Sequence, residues 1–469
     1  MNQQHLNLVA HLMRRAGVGL RREELEQYSN RKYEDIVEEL INPEQLPEMD
    51  DDLLFRYWIE MTNSDGVAGP MNSRWVYRMI NTDRHLQEKI ALFWHQIFAT
   101  SQGKSEHPVS SIEQIELFRG NGLGKVRDIL GDLARDPAMI FWLDNNENHK
   151  DEPNENWGRE LLELFSMGVG NYTEDDIKMA SKAFTGWTYH QIIPLDPYGR
   201  YPAEFRYIPE DHDEGSKTFL GHTGNFNGDD IIDIIVNQPA CAKFISRHLY
   251  NFFVADEVQV PSWNETPPKD EKAIEALMKV FKETDGDIRS MLRFLFNSDF
   301  FKQSQYKRVK CPAELVAGTI RLMGTNEYPE PDMSDLGEYF TGVMGQALMT
   351  PPTVEGWHTG MEWIDGGTLT ERVNFAVSQV EDTSSPGLRD ISLRLSKNPS
   401  GLSSESIVDG CLEMMGMVDI SDDVRGPLIE YVKSEGDLSK LPEENYEEFV
   451  KKISNVLKLA VSTIDYQFA

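Results

Sequence analysis

"HLQEKIALFWHQIFA", residues 85–99, decides the fold class. At 100° per residue Leu86, Ile90, Phe93, Trp94 and Ile97 share one broad apolar face, which is the period of a helix and not of a strand. Asn81, Thr82 or Asp83 is placed to cap its start. Glu88 and His95, seven residues apart, fall together on the other side beside Ala91 and Leu92. Covered by another element, they would meet in a half-buried space suited to base chemistry or metal ligation. Covered by water, they are an ordinary exposed pair.

The same period runs outward in both directions. It predicts helices over 5–16, two within 22–40, and others at 110–118, 124–135, 137–143, 156–167, 173–184, 229–236, 240–253, 270–283, 286–297 and 311–323. Asp136-Pro137 opens one of these, Thr173 with Asp176 caps another, and Asn237 with Pro239 separates two. Strand-like alternation is scarce. The aromatic, proline-broken stretch 186–210 reads as a loop or hairpin insertion. The expected fold class is mainly α, a multi-helix globular body with long aromatic and glycine-rich loops near 186–228 and 350–368 and little β. The main helical domain is expected over 1–378, a linker over the acidic, Ser- and Pro-containing 379–403, and a C-terminal helical segment over 404–469.

Charge bounds the partners. A formal net charge of −32 repels phosphate backbones and anionic membranes, so nucleic acid is not expected as a partner. No apolar run is long enough to span a bilayer. The opening residues lack signal-peptide character, which places the chain as written in the cytoplasm, or outside it if a leader was removed. Cys241, Cys311 and Cys411 form no CxxC pair and read as small core residues.

Three further segments carry candidate chemistry. In "NENWGRELLELF", residues 154–165, Trp157, Leu161, Leu164 and Phe165 make the core stripe, while Asn156, Glu160, Glu163 and Met167 form a separate one. Arg159 lies four residues before Glu163 and is spaced to pair with it. Two carboxylates on one wall suit acid/base or metal work, because their surroundings can push their pKa values apart. The string is equally a common structural helix. In "EDHDEGSKTFLGHTGNFNGDD", residues 210–230, His212, Asp213 and Lys217 share a glycine-rich loop. His222 stands where a calcium loop needs its bidentate glutamate, so an EF-hand is excluded. In "PPTVEGWHTGMEWIDGG", residues 351–367, Trp357 and Trp363 suit either a stacking platform or a core plug.

Taken in order, "HLMRRAGVG", "LQEKIALFWHQIFATS", "NENWGRELLELFSMGVGNYTEDDIKMASKAFTGWT", "HDEGSKTFLG" and "PPTVEGWHTGMEWI…LTERVNFA" resemble the bacterial family catalogued as domain of unknown function 1800. The resemblance covers about residues 5–378 and leaves 404–469 outside. Glu88, His95, Asn154, Asn156, Arg159, Glu160, Glu163, Trp187, His212, Asp213, Lys217 and Trp357 match its motif pattern, which implies that they converge on one pocket. It also implies a sulfatase-like partner protein and, from members that look exported, a leader that this chain lacks.

The expectation is a hydrolase acting on a small molecule or saccharide, with His95, Glu160, Glu163, His212 and Asp213 lining the site. Glu160 or Glu163 serves as general acid or base, and His95 and His212 as base or metal ligand. Arg159 or Lys217 steadies an anionic group, while Asn156 and Trp357 contact substrate. A divalent metal is compatible with these groups, although no HExxH or facial-triad spacing is present. The alternative is a non-catalytic binding or assembly protein in which the same residues form a buried network.

Overall fold

The computed structural model describes residues 3–50, 56, 69–105, 107–191, 202–329, 336–397, 402–417, 420–436, 438 and 440–469. Helix takes up 63% of the chain and strand 6%, so the mainly α class holds. The His85–Ile97 helix is buried at every residue except Gln87 and Gln96. Such a helix lies inside a body, because water is offered no face. It packs on the Gln3–Ala16, Tyr33–Ile41, Gly69–Asn81 and Pro108–Asn121 helices.

Several helix starts follow the expected punctuation. Asp136 accepts from Met139 N at 2.9 Å, and Thr173 and Asp176 close a reciprocal capping box. At the central helix Thr82 Oγ1 accepts from Arg84 N at 3.0 Å, just before the first turn. The Gly69–Asn81 helix, which is not among those expected, buries Trp75, Val76, Tyr77, Met79 and Ile80 together with Asn72, Ser73 and Arg78, so its buried surface mixes apolar and polar groups.

Two antiparallel hairpins supply the strand. β1 (Trp187–Gln191) pairs with β2 (Ala203–Tyr207), Trp187 opposite Tyr207, and the tip at 192–201 lies outside the described residues. Trp187 anchors this hairpin against Phe184 and Phe205, with the Arg135 guanidinium 4.5 Å from its ring. β3 (Lys217–Phe219) pairs with β4 (His222–Gly224).

The stretch expected as a linker carries the Pro386–Ser396 helix, which buries Leu388, Ile391 and Leu395. Residues 398–401 are outside the described set. The Tyr446–Val461 helix lies on the Gly366–Glu381 helix, and Phe468 bridges to Val309, so the C-terminal segment is built into the body. All three cysteines are buried and free. Among the described residues no helix is long and apolar enough to cross a membrane.

Candidate functional site

The Asn156–Glu163 helix buries Trp157, Leu161, Leu164 and Phe165 as its period predicts. Gly158 lets it lie close to the Glu174–Ala183 helix, since a Cβ there would come within 2.5 Å of Ser181 Oγ. The helix stops at Glu163 and does not reach 167. The Met167 and Gly168 N–H groups both return to the Leu162 carbonyl (3.1 and 3.0 Å), and Gly168 has φ +79°. Met167 therefore leaves the polar stripe and is buried.

Glu160 and Glu163 remain half-exposed side by side. Tyr172 donates its hydroxyl to Glu163 Oε2 at 2.8 Å. Burial first, and the Glu163 carboxylate second, push the Glu160 carboxyl up to about 7; Arg159 opposes this and Glu355 adds to it. At neutral pH Glu160 is therefore poised to hold or give a proton.

Glu355 reaches this wall from the loop at 353–359. Gly356 has φ +79°, and a Cβ on it would sit 2.5 Å from Gln96 O, so only glycine lets the loop press on the end of the central helix. Gln96, Leu164, His248, Glu355, Trp357 and Thr359 line a cleft beside it that leaves about 30 Å³ for the centres of water-sized molecules. His248 Nε2 has no hydrogen-bond partner, and burial, then Arg247, push that imidazole down to about 3.

Other candidates are engaged elsewhere. Glu88 accepts from Trp75 Nε1 (3.0 Å), Arg78 Nε (3.0 Å) and Arg119 Nε (2.8 Å), all buried. His95 does not meet it, because Trp75 stands between them with its ring 5.4 Å from the imidazole. His95 Nε2 accepts from Met349 N at 3.0 Å, and burial pushes its pKa down to about 3. Trp357 lies 5.2 Å from His95 and is 5% exposed, so its face closes on the imidazole and is not open as a platform. Trp363 is also buried.

His212, Asp213 and Lys217 form a separate network. His212 Nδ1 donates to Thr185 O at 2.9 Å, and Asp213 N donates to Thr185 Oγ1 at 2.8 Å. The buried Lys217 ammonium donates to Asp213 O and Gly215 O. This network sits at the Thr185 end of the Glu174–Ala183 helix, whereas Glu163 and Tyr172 sit before its start. Ten helical residues at 1.5 Å each put roughly 15 Å between the two, so they do not share one reacting centre. Arg159 turns away from Glu163 and pairs with Glu174 (2.8 Å) and Glu155 (3.4 Å). Asn156 reaches Asp144 Oδ2 at 3.4 Å from an exposed position. Among the described residues no three His, Cys, Asp or Glu side chains are grouped to hold a metal ion.

Sequence reasoning therefore missed Tyr172, Glu355 and His248. The first two lie inside quoted motifs, but only chain folding brings them to Glu160. His248 sits on a helix whose period signals nothing but core.

Fold and site together define a mainly α-helical protein with a half-open carboxylate wall beside a narrow cleft. The chain belongs to the family described as "Protein of unknown function (DUF1800)", which matches residues 11–468 and so takes in the C-terminal segment that the motifs left outside. No curated protein and no solved structure matches the chain.

Proposed function

We propose that the chain is a hydrolase in which Glu160 gives a proton to the leaving group while Glu163, held by Tyr172, takes the proton of the attacking water. The carrying observation is the Glu160 carboxyl, raised to about 7 beside a second half-exposed carboxylate, Glu163. A general acid works best with a pKa near the working pH. Glu163 and Glu355 on the same wall disfavour anionic substrates, which leaves neutral ones of the saccharide or ester kind. In this reading His95, His212, Asp213 and Lys217 hold the loops that frame the wall and do not touch substrate.

The test is a panel of chromogenic glycosides, esters, amides and phosphate esters, assayed for wild type and Glu160→Gln. Turnover of a neutral substrate should fall by about 10²-fold or more in Glu160→Gln with KM little changed. Wild-type turnover should decline above pH 7. Absence of turnover across the panel, or equal turnover by Glu160→Gln, overturns the reading.

One observation favours the second reading, a non-catalytic binding or assembly protein: Glu88, Lys217, His212 and His95 all spend hydrogen bonds on internal contacts. A sulfatase-like partner belongs with that reading.

A further inference from the structure

The cleft beside the carboxylate wall is framed by four segments: the end of the His85–Ile97 helix, the Pro239–Phe253 helix, the Val260–Ser262 turn and the loop at 355–359. Gln259 joins the turn to the loop, since its amide donates to Thr359 O at 2.9 Å and accepts from Thr359 N at 3.2 Å. The frame is therefore pre-formed, and a ligand need not order it. It leaves about 30 Å³ for the centres of water-sized molecules, where roughly 10–15 Å³ suffices for one water. That room suits a group of about three or four heavy atoms and not a whole ring.

Polar groups on this frame are left unspent. Asn251 Oδ1 accepts from Glu257 N at 2.8 Å, which fixes the amide and leaves Nδ2 as a donor with no acceptor among the described residues. His248 lines the cleft, and its Nε2 is buried without a partner. Phe244 and Trp263 hold that ring in place, their centroids 4.5 and 4.6 Å from it. With its pKa pushed down to about 3 by burial, then by Arg247, the imidazole stays neutral and offers one donor and one acceptor. At the mouth, the exposed Glu355 carboxylate makes no ion pair and accepts no hydrogen bond among the described residues. Ile97, Leu164, Val260 and Pro261 give the cleft an apolar wall. Buried polar side chains are ordinarily hydrogen-bonded, so the His248 nitrogen marks a place for a polar ligand atom.

We infer that the cleft is a subsite for an acetamido group, and the ligand therefore an N-acetylated amino sugar. The acetamido carbonyl accepts from Asn251 Nδ2 and the His248 imidazole, its N–H donates to Glu355, and its methyl lies against Ile97, Leu164 and Val260. Each alternative leaves a group unmatched. A carboxylate is opposed by Glu355 and finds no lysine or arginine in the lining. An ammonium suits Glu355 but has no acceptor to offer Asn251 Nδ2. A bare hydroxyl leaves the apolar wall unused. The sugar ring stays outside, towards the carboxylate wall: Glu160 lies one helical turn, roughly 6 Å, before the cleft-lining Leu164, whose N–H donates to the Glu160 carbonyl at 2.9 Å. A glycoside of such a sugar as the hydrolysed substrate rests on the hydrolytic reading; binding of the acetamido group does not.

The experiment is saturation-transfer NMR titration of the full chain with N-acetylglucosamine, with glucose, glucosamine and acetate as separate arms. N-acetylglucosamine should bind with its methyl protons most strongly saturated, and each of the other three should bind about tenfold more weakly or not at all. Glu355→Ala, at an exposed position where folding is not at risk, should weaken N-acetylglucosamine about tenfold, and so should Asn251→Asp, which keeps Oδ1 for Glu257 N. Glu160→Gln should leave binding unchanged. Turnover of chromogenic glycosides of N-acetylglucosamine and of glucose, in both anomers, reports on hydrolysis separately. Binding with no turnover supports the subsite and overturns the hydrolytic reading. Equal turnover of the two glycosides overturns the subsite and supports the hydrolytic reading. Equal binding of glucose, or tighter binding of glucosamine or acetate, overturns the acetamido assignment. No binding by any arm means that the His248 nitrogen is left unpaired by core packing alone, which also overturns the inference.

Discussion

Glu160→Gln should stabilise the protein increasingly as pH rises above about 4.5, and not below it. The folded carboxyl titrates near 7 where an ordinary glutamate titrates near 4.5. A carboxyl with a raised folded pKa contributes nothing below its unfolded value, because both states are then protonated. Between pH 4.5 and 7 the unfolded chain loses its proton first, so folding becomes progressively costlier, and the full cost stands above pH 7. At 1.36 kcal/mol per tenfold change the gap corresponds to roughly 3 kcal/mol, and screening at a half-exposed site trims this to about 1–2 kcal/mol. Glutamine keeps the shape and carries no charge, so it removes the cost. With an unfolding entropy of roughly 2.1 cal/mol/K per residue, 469 residues give about 1 kcal/mol per degree, hence a Tm rise of about 1–2 °C at pH 8 and none at pH 4. Paired thermal and urea melts of wild type and variant at the two pH values read this directly. A loss of stability at pH 8 would refute the reasoning, because it would mean that the charged form of Glu160 is held by favourable contacts. A gain of the same size at both pH values would refute it too, since packing and not ionisation would then be its source. A site that sacrifices stability to hold a reactive proton is what an acid catalyst requires and what a structural network avoids.

Opposite behaviour is expected at Glu88. Glu88→Gln removes the buried carboxylate that Arg78 and Arg119 share and leaves Arg119 only the half-exposed Glu116, which costs about 3–5 kcal/mol and lowers Tm by about 3–5 °C in a scanning calorimeter. Despite the burial, the two arginines hold the Glu88 carboxyl below its usual range, so its contribution is present above pH 4.5 and is lost only as acid reaches its folded pKa. Gly356→Ala puts a methyl 2.5 Å from the backbone oxygen of Gln96 at φ +79°, and a Cβ fixed on its own backbone cannot swing aside. It should cost about 1–3 kcal/mol by denaturant melt and, by moving Glu355, shift the pH at which wild-type activity declines.

How far the sequence carried depended on what each buried face is made of. The central helix was legible because Leu86, Ile90, Phe93, Trp94 and Ile97 are large and periodic. The helix at Gly69–Asn81 was not, because its buried Trp75, Val76, Tyr77, Met79 and Ile80 are interleaved with buried Asn72, Ser73 and Arg78. That omission spread: Glu88 and His95 do lie on the side that periodicity assigns, but Trp75 from the unrecognised helix separates them. The stretch 379–403 read as a linker because serine, proline and acid cluster in it. Pro386 in fact occupies the first turn of a helix, where a missing N–H costs nothing. At the site, the Glu160–Glu163 wall was visible as a stripe, since i, i+3 spacing is local. Of what raises Glu160, that spacing encodes only the Glu163 carboxylate; burial, the largest cause, and Glu355 come from chain folding.

The buried arginines suggest why so acidic a chain keeps cations inside. Many short helices bring many C-terminal carbonyls into the interior, and each needs a donor. Arg15 serves Val254 O just past the Pro239–Phe253 helix and Ser304 O past the Asp299–Lys302 turn. Arg321 serves Ile80 O in the last turn of Gly69–Asn81, Arg14 serves Gly416 O past Ser404–Met414, and Arg247 serves Thr266 O. A guanidinium has five donors in a rigid fork, so one side chain can hold two chain ends, and its charge suits the negative pole of a helix. By that logic most interior arginines are used up by backbone. Arg247, for example, also finds Glu257 at 2.8 Å and leaves only Nε over.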